Sequence, residues 1–116
     1  MGTFENAKLL RIFIGESDKI GKVTVYEKIV NLARKNNLAG ATVYKGIMGF
    51  GKNSRIHTSK ILALSEDLPL VIEIVDEEEK IDGFIPKLKE IFEEANIGGL
   101  ITMEKAEIIK YTHTKK

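Results

Sequence analysis

A glycine-rich, cationic segment contains the residue types best suited to binding a ligand. Gly46, Gly49 and Gly51 fall within six residues, and cationic and polar side chains follow, namely Lys52, Asn53, Ser54, Arg55 and His57. Glycine lets a backbone approach a ligand closely, and backbone N–H groups with a guanidinium fork suit phosphate. The segment has neither the Walker A lysine spacing nor the Rossmann glycine spacing, so a surface loop with solvated charges is an equal alternative.

Gly98 and Gly99 form a second glycine pair, after the last predicted helix. A glycine pair alone usually forms only a turn. In the fold predicted below, however, both glycine segments lie at strand ends that a dimer or trimer interface could bring together. The C-terminal lysines could reach a ligand phosphate, although a solvated tail is their more common role; they are Lys105, Lys110, Lys115 and Lys116.

Residues that usually bind metals or act as nucleophiles are sparse. The chain has no cysteine, and its two histidines, His57 and His113, do not form a His-x-x-x-His zinc pattern. His57 is better suited to hydrogen-bonding an anion or a backbone carbonyl. A helix start explains the acidic run Glu77–Glu79, because carboxylates are stabilised there. We therefore predict no metal site.

An enzymatic alternative is a small phosphohydrolase of the acylphosphatase kind. Such domains use a cationic loop after the first strand and an amide that positions water, for which Gly15–Lys22 and Asn53 are the candidates. Glu16 and Asp18 in that loop would repel a phosphate. No activated serine, histidine dyad or spaced carboxylate pair is recognisable in the sequence. The residues therefore favour ligand binding over catalysis.

The bulk composition indicates one globular domain, residues 1–116. Hydrophobic residues make up 43% and charged residues 30% of the chain, which argues against disorder. A net charge of +1 gives no global attraction to nucleic acid or to an anionic membrane, so a cationic site must be local. Without cysteines, a long apolar run or a signal-peptide core, we expect a cytoplasmic protein that does not insert into a membrane.

Strand and helix patterns alternate in the first half of the chain. Lys8–Ile14 is predicted to be a strand covered on both faces, since apolar residues occupy both alternating sets. Thr24 and Glu27 have the form of a capping box, which predicts a helix ending near Asn36. Strand pattern resumes over Ala41–Phe50 and leads into the glycine-rich segment.

The region after the glycine-rich segment gives the weakest signal. His57–Leu64 could extend a hairpin or form a short helix, and Leu70–Val75 is a strong strand with Pro69 at its start. Asp76 with Glu79 has the form of a second capping box.

A long amphipathic helix is predicted to follow, up to Ala95. Pro86 should kink this helix, unless it begins late, near Asp82. After the turn at 96–99, Leu100–Met103 is predicted as a short strand and Ala106–Thr112 as a second extended piece.

This order of elements is the split βαβ pattern of the α+β, ferredoxin-like βαββαβ fold. It predicts an antiparallel four-stranded sheet with two helices on one face and a short C-terminal extension. The open face should be polar, yet Leu9, Phe13 and one apolar set of Leu70–Val75 would lie on it. Oligomerisation through that face is the simplest way to bury them.

Several runs together resemble the uncharacterised family of PII-like signalling proteins, from about Lys8 to Tyr111. The matching runs are Leu10–Asp18, Gly40–Gly51, Ile56–Thr58 and Leu64–Asp76. The wider PII superfamily, which this chain resembles more distantly, consists of ferredoxin-like homotrimers that bind ATP or ADP in clefts between subunits. These proteins signal to partners by moving a loop after the second strand.

The resemblance implies roles for particular residues. Gly49, Phe50, Gly51 and Lys52 correspond to the base of the mobile loop, which would span Asn53–Leu68. Ile97–Leu100, with Gly98 and Gly99, corresponds to a second phosphate-binding turn, and Lys110 lies near basic positions that reach the nucleotide. Some relatives are associated with fluoride-channel genes, which implies a membrane channel or transporter as the protein partner.

We therefore expect a cytoplasmic homotrimeric sensor that binds ATP or ADP between subunits. Phosphates would meet backbone amides and cations of one subunit and the second glycine turn of its neighbour; the predicted site is Gly49, Phe50, Gly51, Lys52, Arg55, His57, Gly98, Gly99 and Lys110. The alternatives are the small phosphohydrolase and a trimeric metal-tolerance or structural protein that binds no nucleotide.

Overall fold

Alternating apolar residues and two amphipathic stretches build a sheet covered by helices. The computed structural model describes residues 6–49, 57–58 and 68–112. In chain order, its elements are β1 (Ala7–Gly15), β2 (Lys19–Ile20), β3 (Val23–Thr24), α1 (Val25–Lys35), β4 (Thr42–Lys45), β5 (Met48–Gly49), β6 (His57–Thr58), β7 (Pro69–Glu77), α2 (Glu78–Ala95) and β8 (Leu100–Ala106).

The main sheet has the strand order β4-β7-β1-β8, with every neighbouring pair antiparallel. The two central strands are the long ones, and Ile12 is paired with Ile72 and with Ile101 across the middle of the sheet. This arrangement confirms the predicted ferredoxin-like fold. The predicted loop at Gly15–Lys22 differs in detail, because it contains the small β2–β3 hairpin.

The hydrophobic core lies between one face of the sheet and both helices. Every second residue of β1 and β7 points into it, and α1 and α2 contribute their apolar stripes. The fully buried side chains are Leu10, Ile12, Val25, Ile29, Ile72, Ile74, Ile81, Phe84 and Leu88. This single core fixes the positions of all four strand ends.

Helix α1 begins where the sequence predicted. Thr24 is its N-cap, but its hydroxyl donates to the Glu27 carboxylate, at 2.6 Å, rather than capping a backbone N–H. The helix ends at Lys35, and Asn37 takes the left-handed conformation with φ 61°. Asparagine is one of the residues that tolerate this conformation after a helix.

The predicted capping box at Asp76 is wrong, because that residue remains in β7. Glu77 is the N-cap of α2, and Asp76 is buried, where its carboxylate accepts from the backbone N–H groups of Ala39 and Glu77 at 2.8 and 2.6 Å. These two donors hold the carboxylate inside the fold, between the loop before β4 and the start of α2.

Helix α2 runs unbroken from Glu78 to Ala95 with Pro86 inside it, so the late start near Asp82 is also wrong. The exposed position of Pro86 explains why it is tolerated, since the Asp82 carbonyl that it leaves without a backbone donor can be hydrated. Neither this helix nor α1 is long and apolar enough to cross a membrane.

The strand predicted over Ala41–Phe50 is interrupted. β4 ends at Lys45, the chain turns at Gly46 and Ile47, and Met48–Gly49 then pairs with His57–Thr58. The hairpin alternative at His57 is thereby confirmed for these two residues, whereas 59–67 lie outside the described part of the chain. A sheet edge therefore leads directly into a separate small hairpin.

The last strand is longer than predicted, since β8 continues to Ala106. Residues 107–112, in the predicted second extended piece, form no strand. The chain instead crosses the end of the sheet, and the Tyr111 hydroxyl donates to the carbonyl of Ala39 at 3.1 Å. This contact joins the C-terminal segment to the loop that precedes β4.

The sheet face away from the helices is mixed rather than uniformly apolar. Apolar side chains lie near both ends of this open face, with Leu9 opposite Val75 and Phe13 opposite Val71. Between them Arg11 lies opposite Glu73. The open face therefore carries two apolar rows separated by a polar one.

Candidate functional site

The predicted glycine segments lie at one end of the sheet, which we call the glycine end. Here β1 and β4 finish and β7 and β8 begin, because Gly15 is paired with Pro69 and Phe13 with Leu100. The turns at 46–49 and 98–99 both adjoin this end. The antiparallel topology thus brings together two segments that are about fifty residues apart in sequence.

Gly46 and Gly49 both pack against Pro69. The Gly46 N–H donates to the Pro69 carbonyl at 2.7 Å, and a Cβ at Gly46 would lie 3.0 Å from Pro69 Cγ. A Cβ at Gly49 would lie 3.2 Å from the same atom. Close packing of a turn on proline therefore explains these two glycines in part, apart from any ligand.

The two residues of the second glycine pair differ, because Gly99 is tightly packed and Gly98 has open space around it. A Cβ at Gly99 would lie 2.8 Å from the backbone oxygen of Phe13 and 2.6 Å from the Phe92 ring, so the fold itself requires glycine there. A Cβ at Gly98 would have nothing within 4 Å, and Gly98 does not adopt a left-handed conformation. Neither packing nor backbone geometry explains Gly98, a property shared with Gly40 and Gly83.

An ion pair at the glycine end was missed by the sequence analysis. Lys45 Nζ lies 2.8 Å from Glu16 Oε2, with the side chains 52% and 29% exposed. The hydrogen bond to Glu16 raises the pKa of Lys45 above its ordinary value, so the ammonium stays charged. Its position directly before Gly46 is the only sequence signal that could have pointed to Lys45.

Only part of the predicted site can be placed. Phe50, Gly51, Lys52 and Arg55 lie outside the described residues. The backbone of His57 is paired with that of Gly49 in the β5–β6 hairpin, so these two predicted site residues are neighbours.

The two glycine turns do not meet within one chain. The turn at 46–49 follows β4 at one edge of the sheet, and the turn at 98–99 precedes β8 at the other. Three strand spacings separate these edges, roughly 14 Å at 4.8 Å per spacing. The two turns therefore do not touch each other within one chain, and a ligand that contacts both either extends across this end of the sheet or bridges two copies of the chain.

Lys110 lies at the opposite end of the sheet from the other predicted site residues. It lines an open groove of about 680 Å³ together with the 39–42 segment, Val75 and Asp76. The length of β8 separates it from Gly99 in the same chain, about 20 Å at 3.3 Å per residue. Lys110 could join the glycine turns only from a neighbouring copy.

The loop after β1, the candidate for phosphohydrolase chemistry, uses its own backbone donors. The N–H of Gly15 donates to the Asp18 carboxylate at 2.9 Å, and the N–H of Asp18 to the Gly15 carbonyl at 3.3 Å. The N–H of Glu16 donates to the Leu68 carbonyl at 2.8 Å. A phosphate entering this loop would have to displace these acceptors. Among the described residues, no three His, Asp or Glu side chains are grouped to hold a metal ion.

A connected polar row crosses the middle of the open face. Arg11 Nε donates to Glu73 Oε2 at 2.8 Å, the Tyr44 hydroxyl donates to the same oxygen at 2.8 Å, and Arg11 Nη1 lies 3.5 Å from Glu104. The hydrogen bonds from Arg11 and Tyr44 lower the pKa of Glu73. The row thus links side chains of all four strands on the face that has no helices.

Comparison with protein families and curated proteins identifies close relatives. The model for the DUF190 family, described as an uncharacterized ACR, matches residues 7–108. A UPF0166 protein from Aquifex aeolicus (strain VF5) is 40% identical over 102 residues, which cover 88% of this chain and 92% of that protein.

Comparison with solved structures identifies the fold. CPII, a nitrogen regulatory PII-like protein from Thiomonas intermedia K12 bound to ADP, AMP and bicarbonate, aligns with a TM-score of 0.69. The sequence identity is 16%, and the alignment covers 90% of each chain. A putative PII-like signaling protein from Thermus thermophilus aligns with a TM-score of 0.62 at 16% identity over 87% of each chain. Similarity at this level of identity establishes a shared PII-like fold.

Proposed function

The chain belongs to the DUF190 family, and we propose that it is a PII-like regulatory protein that binds an adenine nucleotide between subunits of a homotrimer. One observation carries the proposal. Gly49, which packs against Pro69 at the start of β7, and the Gly98–Gly99 turn, which precedes the edge strand β8, lie apart at the same end of the sheet. A nucleotide that uses both turns would take Gly49 from one copy and the glycine pair from its neighbour.

The open face of the sheet supports assembly. Its apolar rows include Val75 and Leu100, which are 38% and 54% exposed in the single chain. Burying such side chains is favourable, and the polar row between them would set how neighbouring copies align. The number of copies, three, comes from the resemblance to PII proteins.

The ligand chemistry follows from the open glycine and from the sequence. At Gly98 a phosphate could approach the backbone without meeting a side chain, and backbone N–H groups would hold its oxygens. Lys52 and Arg55, predicted from the sequence, would neutralise the phosphates, and Phe50 would stack on the base or pack beside it. An adenine nucleotide is favoured because the similar CPII structure contains ADP and AMP.

The regulatory output would reach a protein partner through the segment that connects β5 to β7. Gly49, which precedes this segment, packs against Pro69, and Leu68, which ends it, adjoins Pro69 in the chain, so both ends of the segment lie at the glycine end. A membrane channel or transporter is the partner that the resemblance to PII-like relatives implies. Occupancy of the site would then alter how this segment is presented to the partner.

Isothermal titration with ATP, ADP, AMP and cyclic AMP tests the binding step. Gly98→Val should weaken binding by about tenfold or more, since the added side chain would occupy the space of a ligand group. Gly83→Val is the control, because a Cβ at Gly83 also has nothing within 4 Å and this exposed residue of α2 is not among the predicted site residues. Equal affinities for the two variants would contradict the placement at Gly98.

A phosphate-release assay on the same samples separates the sensor from the phosphohydrolase. The sensor proposal expects stable binding without turnover at saturating nucleotide. Steady release of phosphate that is lost in Asn53→Ala would instead support the enzymatic alternative.

A further inference from the structure

The ion pair between Lys45 and Glu16 joins the two segments that flank Pro69. Lys45 directly precedes Gly46, whose N–H donates to the Pro69 carbonyl. The N–H of Glu16 donates to the Leu68 carbonyl, one residue earlier in the chain. Both side chains therefore project from backbone that is already held in place, and they can change partners without any rearrangement of the sheet.

The bond between these side chains is easily exchanged. The Lys45 side chain is about half exposed, and an ion pair in such a position contributes little net free energy because water screens it. A phosphate carries more charge than a carboxylate and accepts stronger hydrogen bonds from an ammonium. An anion that arrives at the glycine end can therefore replace Glu16 as the partner of Lys45 at small cost.

We propose that Lys45 contacts the phosphates of the bound nucleotide and that Glu16 is an internal competitor for the Lys45 ammonium. The inference rests on the proposed function and adds to it two residues that the sequence analysis did not assign to the site. In the free protein Glu16 keeps Lys45 paired at the edge of the Gly46 turn. Ligand binding transfers Lys45 from the carboxylate to the phosphate, so that the measured affinity includes the cost of breaking the pair.

A double-mutant cycle distinguishes competition from simple charge repulsion. Nucleotide affinity is measured by calorimetry with ADP for the wild-type chain, Glu16→Gln, Lys45→Ala and the double variant. Glu16→Gln should tighten binding by up to about fivefold, the most expected for the loss of one exposed ion pair. Lys45→Ala should weaken binding by about tenfold, since a charge-assisted contact to phosphate is lost.

The double variant carries the decisive result. If Glu16 acts by competing for Lys45, its removal has nothing left to release once Lys45 is absent, and the double variant should bind ADP as Lys45→Ala does. If Glu16 only repels the ligand, the tightening caused by Glu16→Gln persists in the Lys45→Ala background, which would overturn the inference.

A second surface bridge supplies the control. Lys8 Nζ lies 3.0 Å from Asp82 at the far end of the sheet, so Asp82→Asn removes one negative charge there, as Glu16→Gln does at the glycine end. Asp82→Asn should leave ADP affinity unchanged. If the wild-type chain binds ADP and Glu16→Gln has the same affinity as Asp82→Asn, the inference fails while the proposed function stands. Absence of ADP binding in every variant overturns both.

Discussion

The two ends of the sheet differ in how accessible their polar groups are. At the glycine end an exposed ion pair lies beside turns of glycine, and Gly98 has open space around it. At the other end, which we call the carboxylate end, Asp76 is 4% exposed and accepts two backbone N–H groups. The Tyr111 contact to Ala39 adds a further connection there.

The carboxylate end stabilises the fold, whereas the glycine end has groups available to a ligand. At the carboxylate end, hydrogen bonds through Ala39 join β7, the loop before β4 and the C-terminal segment. The backbone of the glycine end is also held, by the bonds of Glu16 and Gly46, but its ion pair is partly exposed and Gly98 has open space around it. Weakly paired, accessible groups can exchange partners with a ligand, and this difference supports the location of the proposed site.

The largest expected effect is at Gly99, the most tightly packed of the described glycines at the glycine end. Gly99→Ala should lower the free energy of unfolding by about 3 kcal/mol, because the new methyl group meets the Phe13 carbonyl and the Phe92 ring. Urea denaturation measures the change. Gly98→Ala is the adjacent control and should be nearly neutral, because a Cβ there meets no other atom. Similar losses of stability in both variants would show that Gly99 is not more tightly packed than Gly98.

At the carboxylate end, Asp76→Ala should cost about 2 kcal/mol of unfolding free energy, since it leaves two backbone donors without their acceptor. Thermal and urea unfolding both report this loss. Glu79→Ala, an exposed position three residues along the chain, should change stability little. If Asp76→Ala lowers the unfolding free energy no more than Glu79→Ala does, Asp76 does not stabilise the carboxylate end.

The open face between the two ends should respond to pH through Glu73. Its pKa in the folded protein lies below the ordinary 4.5, chiefly because Arg11 donates to it. The stabilisation is therefore complete at pH values above that ordinary pKa and is lost as the pH falls through the lowered one. Glu73→Gln should reduce stability near neutral pH by about 1 kcal/mol or less, the range for partly exposed pairs.

Unfolding measured as a function of pH tests whether Glu73 acts through its charge. Unfolding curves from pH 7 down to pH 3 should show wild-type and Glu73→Gln stabilities converging toward the acid end. Parallel curves over the whole range would show that Glu73 does not contribute through its charge.

The smallest expected effect is that of the single hydroxyl contact at the carboxylate end. Tyr111→Phe should lower the unfolding free energy by about 0.5 kcal/mol, since the Ala39 carbonyl that it leaves is accessible to water. Hydrogen exchange at the neighbouring Ala39 N–H, which donates to Asp76, should accelerate slightly. If neither the unfolding free energy nor the exchange rate changes, the Tyr111 hydroxyl does not stabilise the carboxylate end.

Alternating apolar residues predicted the central strands, and amphipathic spacing predicted the two helices. Ile12 and Ile72 fall on the buried set of their strands in the sequence, and both are fully buried in the fold. The predicted capping box at Asp76 was wrong for a physical reason. It was inferred from the spacing of Asp76 and Glu79, and this local spacing carries no information about a distant backbone donor such as the Ala39 N–H. Contacts between segments far apart in sequence decide such cases.

The candidate site was predictable only in part. Glycine spacing identified both turns, but it could not separate Gly99, which the fold requires, from Gly98, which packing leaves unexplained. The pair of Lys45 with Glu16 depends on β7 pairing with both β1 and β4, so that the ends of these two strands lie on either side of Pro69, and no local pattern encodes that pairing. The place of Lys110, at the carboxylate end, likewise depends on where the chain turns after β8.

The most direct test of a nucleotide site shared between copies is calorimetry with ADP on a sample whose mass is measured by light scattering at the same concentration. The account predicts a mass three times the 13.0 kDa of one chain, with ADP bound at about one site per chain. A single chain that binds ADP fully, or a trimer that binds no adenine nucleotide, would contradict it.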